Sequence, residues 1–129
     1  MITGIGTDLV SIERMRGLVA RHGARAASRI LAAQEMAGYA SAADPASFLA
    51  KRFAAKEAFA KATGSGVRAP VTLREVAVEH DALGRPSLAF SGALHVSMQA
   101  RGLTAHLSLS DEAGLALAFV VIEHDGAPT

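Results

Sequence analysis

Apolar and polar positions divide the chain into a helical first half and a strand-rich second half. Residues 1–10 (MITGIGTDLV) read as a short strand broken by glycines and ending near Asp8 to Val10. Ser11 is placed to cap a helix, with Glu13 in its first turn and Ile12, Met15 and Val19 at helical spacing. That helix is expected to reach Arg21, with Gly23 as a stop or kink before a second helical piece over 24–37. Segment 38–46 (GYASAADPA) reads as a loop. Asp44-Pro45 then supplies a cap and a first-turn proline, and residues 47–62 (SFLAKRFAAKEAFAKA) form one helix closed by Gly64-Ser65-Gly66.

After Pro70 the period changes. VTLREVAV (71–78) alternates imperfectly, as a half-buried strand with a slip near Glu75. A turn over 81–86, a strand over 87–90 and a short helix over 92–100, stopped by Gly102, are expected next. LTAHLSLS (103–110) alternates cleanly: Leu103, Ala105, Leu107 and Leu109 face one way, Thr104, His106, Ser108 and Ser110 the other. The last strand, LALAFVVIE (115–123), is apolar at nearly every position, which predicts that both its faces are covered. No repeat, linker or low-complexity tract interrupts residues 1–129, so the pattern predicts a single α+β domain.

Composition tempers the apparent oiliness. Half of the 129 residues are hydrophobic, but 28 of them are alanine, which favours helix and close approach while burying little area. The core is therefore thin, and a partner subunit would help to complete it. There are no cysteines, which excludes disulfides, zinc–cysteine sites and thiol catalysis. No apolar run approaches the ~18 residues of a membrane span, and the N-terminus lacks a secretory pattern, so a cytoplasmic protein is expected. A net charge of +1 argues against a nucleic-acid binder. It hides an asymmetry, however. Residues 1–68 hold ten Lys/Arg against five Asp/Glu, and residues 69–129 three against seven, which points to an anionic ligand or acidic partner at the front half.

The 47–62 helix has no clean polar face. Arg52 and Lys56 fall within its apolar arc, where snorkelling stems would excuse them. Glu57 shares one i, i+4 row with Leu49, Phe53 and Lys61, and a carboxylate there is costly unless it is paired or bound to a metal. Lys61 is the ordinary partner. The alternative is a cation shared with Asp8, the one acid among the first twelve residues, whose simpler role would be to cap the next helix. Two oxygen ligands from separate elements, without His or Cys, suit Mg²⁺, which completes its shell with waters and substrate phosphates. Arg52, Lys56, Lys61 and the glycine turn 64–66 are placed to neutralise such a phosphate. The turn lacks the P-loop spacing, and Gly4-x-Gly6 lacks the third glycine of a dinucleotide fingerprint. On one unbroken helix Arg14, Arg21, Arg25 and Arg29 would span about an 80° arc, a stripe suited to an acidic protein surface or a phosphate backbone, or merely to solvent. His106, on the polar side of its strand, reads as a hydrogen-bonded structural residue, with a phosphate contact or a proton relay as the alternatives.

Three segments together, GIGTDLVSIERM (4–15), RFAAKEAFAKATGSG (52–66) and HLSLSDEAGLALAFVVIE (106–123), resemble holo-[acyl-carrier-protein] synthase, the small trimeric class of 4′-phosphopantetheinyl transferases. The resemblance covers essentially the whole chain, and F-x-x-K-E-A-x-x-K-A is its most specific part. It implies an antiparallel sheet packed against a long central helix. It also implies Mg²⁺-dependent transfer of the phosphopantetheine arm of coenzyme A to a serine of apo acyl carrier protein, in support of fatty acid biosynthesis. Asp8 and Glu57 would be the Mg²⁺ ligands. Lys61 would contact the CoA phosphates, with Arg52, Gly64 and His106 as further contacts. Arg14, with Arg21 and Arg25, would meet the acidic carrier, and a homotrimer would place the site at a subunit boundary. Glu57 or a metal-bound water would take the serine proton. Asp111 stands where the family often has histidine, and it receives no role. A non-catalytic scaffold that docks an acidic partner is the competing reading.

Overall fold

A computed structural model describes residues 1–126. The elements follow in the order β1 (Ile2–Ser11), α1 (Ile12–His22), α2 (Ala24–Ile30), α3 (Met36–Ser41), α4 (Pro45–Thr63), β2 (Val76–His80), β3 (Pro86–Phe90), α5 (Gly92–Ala100), β4 (Leu103–Glu112) and β5 (Leu115–His124). The first and last strands pair, giving an antiparallel sheet of order β1-β5-β4, while β2 and β3 form a separate hairpin.

α4 is the axis of the fold. Asp44 caps it by accepting from the Ser47 amide, Pro45 opens it, and Gly64 ends it in the left-handed conformation at φ 82°. Its missing polar face has a simple cause: it is surrounded. Ala54, Ala55, Ala58 and Ala62 meet the inner face of the sheet, while Leu49 and Ala50 belong to a second apolar cluster with Met15, Ala26, Ala27, Ile30 and Leu31. A helix buried on most sides needs apolar residues all round. The alanines let the sheet come close, and the glycines of β1 complete that approach. A Cβ on Gly4 would lie 1.9 Å from the Ala62 carbonyl oxygen, and one on Gly6 2.1 Å from that of Ala58. Gly4 and Gly6 therefore serve backbone-to-helix contact. Two residues further along the same strand face comes Asp8.

Three expectations need correction. The helix expected over 24–37 stops at Ile30, where Leu31 and Ala32 turn extended. A 3₁₀ turn (Ala33–Glu35) and α3 then occupy part of the supposed loop 38–46. The strand expected over 71–78 begins only at Val76, because Leu73–Glu75 is a 3₁₀ turn at the predicted slip. Both breaks converge on Lys56, whose ammonium donates to the carbonyls of Ile30 and Leu73. Finally, β5 is not covered on both faces by this chain. Ala116, Ala118, Val120 and Ile122 are buried, whereas Leu115, Leu117 and Phe119 are each about two-fifths exposed.

Candidate active site

The register of β1 against β5 pairs Asp8 with Ala118 and so points Asp8 inward, toward α4. There it meets the row that carries Glu57 and Lys61. Lys61 Nζ donates to Asp8 Oδ1 at 3.1 Å and to the Thr7 carbonyl at 2.9 Å. Asp8 does not cap α1; Ser11 does, accepting from the Arg14 amide. Lys61 thus pairs with Asp8, and among the described residues Glu57 has neither a hydrogen-bond nor a salt-bridge partner. Burial raises the Glu57 carboxyl above its ordinary value and the neighbouring Asp8 raises it further, against the opposing pull of Lys61.

Asp8 and Glu57 face one cleft of about 640 Å³, bordered by Ser11, Arg14, Leu18, Arg21 and Phe53. Arg16 holds the α1 wall in place, reaching Asp44 at the head of α4 at 3.0 and 3.3 Å and Glu13 at 3.1 Å. Leu18 and Phe53 continue into an adjoining hollow of about 390 Å³ that also takes in His22, Arg25, Ala26, Arg29 and Ile30. The arginine stripe is therefore bent rather than straight. Gly23, at φ 57° and ψ −136°, breaks the helix and shares the four cations between two connected hollows.

The remaining expected contacts lie elsewhere in the chain. Arg52 precedes Glu57 by five residues, about 140° around the helix. Its guanidinium stacks 3.6 Å over the Phe48 ring and lies 3.8 Å from Glu35. Gly64 is the left-handed end of α4, with open space where a side chain would be. His106 is on the outer face of β4, 2.7 Å from Glu123, beside a hollow lined by Asp81, Arg85 and Ser87. One chain thus brings Asp8, Glu57, Arg14 and Arg21 to one cleft, ties Lys61 to Asp8 beside it, puts Arg25 next door, and separates Arg52, Gly64 and His106 from them.

Lys56 neither snorkels nor faces a phosphate. It is 1% exposed and held by Glu35 at 2.5 Å, and Glu35 also accepts from the amides of Ala32 and Val78. Burial lowers the pKa of Lys56, and Glu35 opposes that shift. Sequence reasoning passed over Glu35, although a signal existed: it is the one acid between Glu13 and Asp44, and it sits beside an apolar run.

Among the described residues no cluster of three or more His, Asp or Glu could enclose a metal. The Asp8–Glu57 pair nevertheless fits a hard divalent ion. Two sheltered carboxylates line one cleft wide enough for waters and phosphate oxygens, and one of them has no partner among the described residues. Comparison with known proteins agrees with this architecture. The family model for the 4′-phosphopantetheinyl transferase superfamily matches residues 4–120. The chain is 60% identical over 124 residues to the holo-[acyl-carrier-protein] synthase of Laribacter hongkongensis, covering 95% of this chain and 99% of that one. It is 58% identical over 123 residues to the same-named protein of Aromatoleum aromaticum, covering 95% and 98%. The crystal structure of the Neisseria meningitidis synthase superposes with a TM-score of 0.92 at 47% identity, over 95% of this chain and 99% of that one. A Bacillus anthracis synthase in complex with CoA (3′,5′-ADP) gives a TM-score of 0.81 at 31% identity, over 97% and 99%. A catalytic-type cleft, a shared fold and identity along almost the whole chain lead to one assignment: the chain belongs to the holo-[acyl-carrier-protein] synthases of the 4′-phosphopantetheinyl transferase superfamily.

Proposed function

We propose that this chain transfers the 4′-phosphopantetheine moiety of coenzyme A to a serine hydroxyl of apo acyl carrier protein, releasing adenosine 3′,5′-bisphosphate and serving fatty acid biosynthesis in the cytoplasm. The observation that carries the reading is that Asp8 and Glu57 face one arginine-walled cleft, with Lys61 bonded to Asp8 beside it. In the reaction the serine oxygen attacks the β-phosphorus of CoA, the bond from that phosphorus to the bridging oxygen breaks, and the nucleotide leaves with the electron pair. Approach to an anionic diphosphate and charge build-up on its oxygens form the barrier. Asp8 and Glu57 would hold Mg²⁺, which when bound supplies a positive charge beside the phosphate oxygens. Lys61, on a flexible stem beside Asp8, would reach the same oxygens. Glu57, facing the same cleft, or a bound water would accept the serine proton as the nucleophile closes in. Arg14, Arg21 and Arg25 offer the acidic carrier a basic approach along the two hollows.

The outer face of the sheet supports a homotrimer. Ile5 and Leu9 of β1 stand beside Leu117 and Phe119 of β5 on one exposed apolar surface, a patch of the kind that marks protein contact. His106 opens onto that same outer face, so a neighbouring copy would bring it, with Arg52 and Gly64 from their own sides, toward a shared CoA.

Intact-mass analysis of the carrier tests the function. With apo carrier, CoA and Mg²⁺ the carrier should gain one phosphopantetheinyl group, and EDTA should abolish the gain. Asp8→Ala and Glu57→Ala should each slow transfer by about 100-fold or more while keeping the fold. Carrier that binds tightly but gains no mass would establish the scaffold reading instead.

A further inference from the structure

Phosphate binding alone does not account for where Lys61 points. It lies one helical turn beyond Glu57, yet its ammonium turns to β1 and bonds Asp8 Oδ1 and the Thr7 carbonyl. The lysine side chain is 55% exposed and the aspartate 17%, so a solvent-borne cation reaches down to a sheltered carboxylate. Its compact charge on a four-carbon stem can swing to another oxygen without disturbing α4. Without a divalent ion, the two carboxylates of the cleft hold adjacent negative charge, and Lys61 is the cation that offsets it. A divalent ion and an ammonium sharing one carboxylate repel each other.

Building on the reading above that Asp8 and Glu57 hold the metal, we propose that Lys61 is an internal counter-cation that occupies Asp8 while the metal is absent and swings to the substrate phosphate when metal and CoA arrive. The lysine then has two consequences. It weakens metal binding to the free enzyme, and it couples metal binding to phosphate binding, because each ligand favours the same displaced lysine. The empty enzyme is thereby kept from collecting a metal it cannot use.

Mn²⁺ titration followed by electron paramagnetic resonance, on the folded protein without CoA, tests this directly. Lys61→Met keeps the stem but removes the charge, and should tighten Mn²⁺ binding by up to about fivefold, the range of a partly exposed ion pair. Lys61→Arg restores the cation and should return affinity toward wild type. Adding CoA should tighten Mn²⁺ binding less in Lys61→Met than in wild type. Mn²⁺ affinity that is unchanged or weaker in Lys61→Met without CoA would overturn the counter-cation role. Asp8→Asn tests the underlying site separately: Mn²⁺ binding undiminished in that variant would overturn the metal reading, and the lysine's role with it.

Discussion

A carboxylate half-sheltered beside another carboxylate carries a cost that pH exposes. Glu57 titrates above its ordinary 4.5 because burial and Asp8 both disfavour its charge, Lys61 only partly compensating. The unfolded chain gives up that proton first, so stability falls as pH rises from 4.5 through the higher folded value, and the penalty persists above it. Thermal unfolding in EDTA should therefore show Glu57→Gln melting above wild type at pH 7, with the gap closing once the pH drops below 4.5. A gap that is constant across this range, or reversed, would mean that Glu57 is not strained. At this scale the sequence was informative where an acid stood alone on an apolar row, as Asp8 and Glu57 do. It misled at Lys56, since a helical angle cannot tell a lysine lying over apolar neighbours from one sealed against an acid 21 residues away.

Element boundaries were legible where local chemistry decides them. Asp44, Pro45 and Gly64 delimit α4 as their cap and turn preferences predict, and the clean alternation of β4 matches its half-buried face. Boundaries failed where a distant residue decides. The alanine-rich stretch 24–37 has strong helical propensity, yet Lys56 takes the Ile30 carbonyl and Glu35 takes the Ala32 amide, so the helix yields to a buried pair. Lys56 and Glu35 tie α2, α4, β2 and the intervening turns together, and their worth is asymmetric. Glu35→Ala leaves a buried ammonium unpaired and should cost about 3–5 kcal/mol in denaturant unfolding. The double change Glu35→Leu with Lys56→Met removes both charges and should cost less than Glu35→Ala alone. A double variant as unstable as the sum of the two single changes would show that the charges act independently.

The whole molecule is where a single sequence says least, because a surface and an interface are written in the same residues. The last strand read as covered on both faces; this chain covers one and leaves Leu115, Leu117 and Phe119 exposed on the other. For the proposed trimer, light scattering should return about three times the 13.3 kDa chain mass. Phe119→Asp should lower that mass and reduce transfer together, whereas a fully active monomer would remove the need for a shared site. In the proposed trimer, Arg52, Gly64 and His106 would meet Asp8 and Glu57 across subunits.

The proposed transfer requires one divalent ion held between Asp8 and Glu57 against the diphosphate of CoA. Its most direct test is the anomalous scattering of Mn²⁺ in crystals of the protein grown with CoA. A single strong peak within about 2.1 Å of a carboxylate oxygen from each of Asp8 and Glu57, and touching the diphosphate, is the predicted result. A peak bound by other residues, or CoA seated with its diphosphate away from this pair, would contradict it.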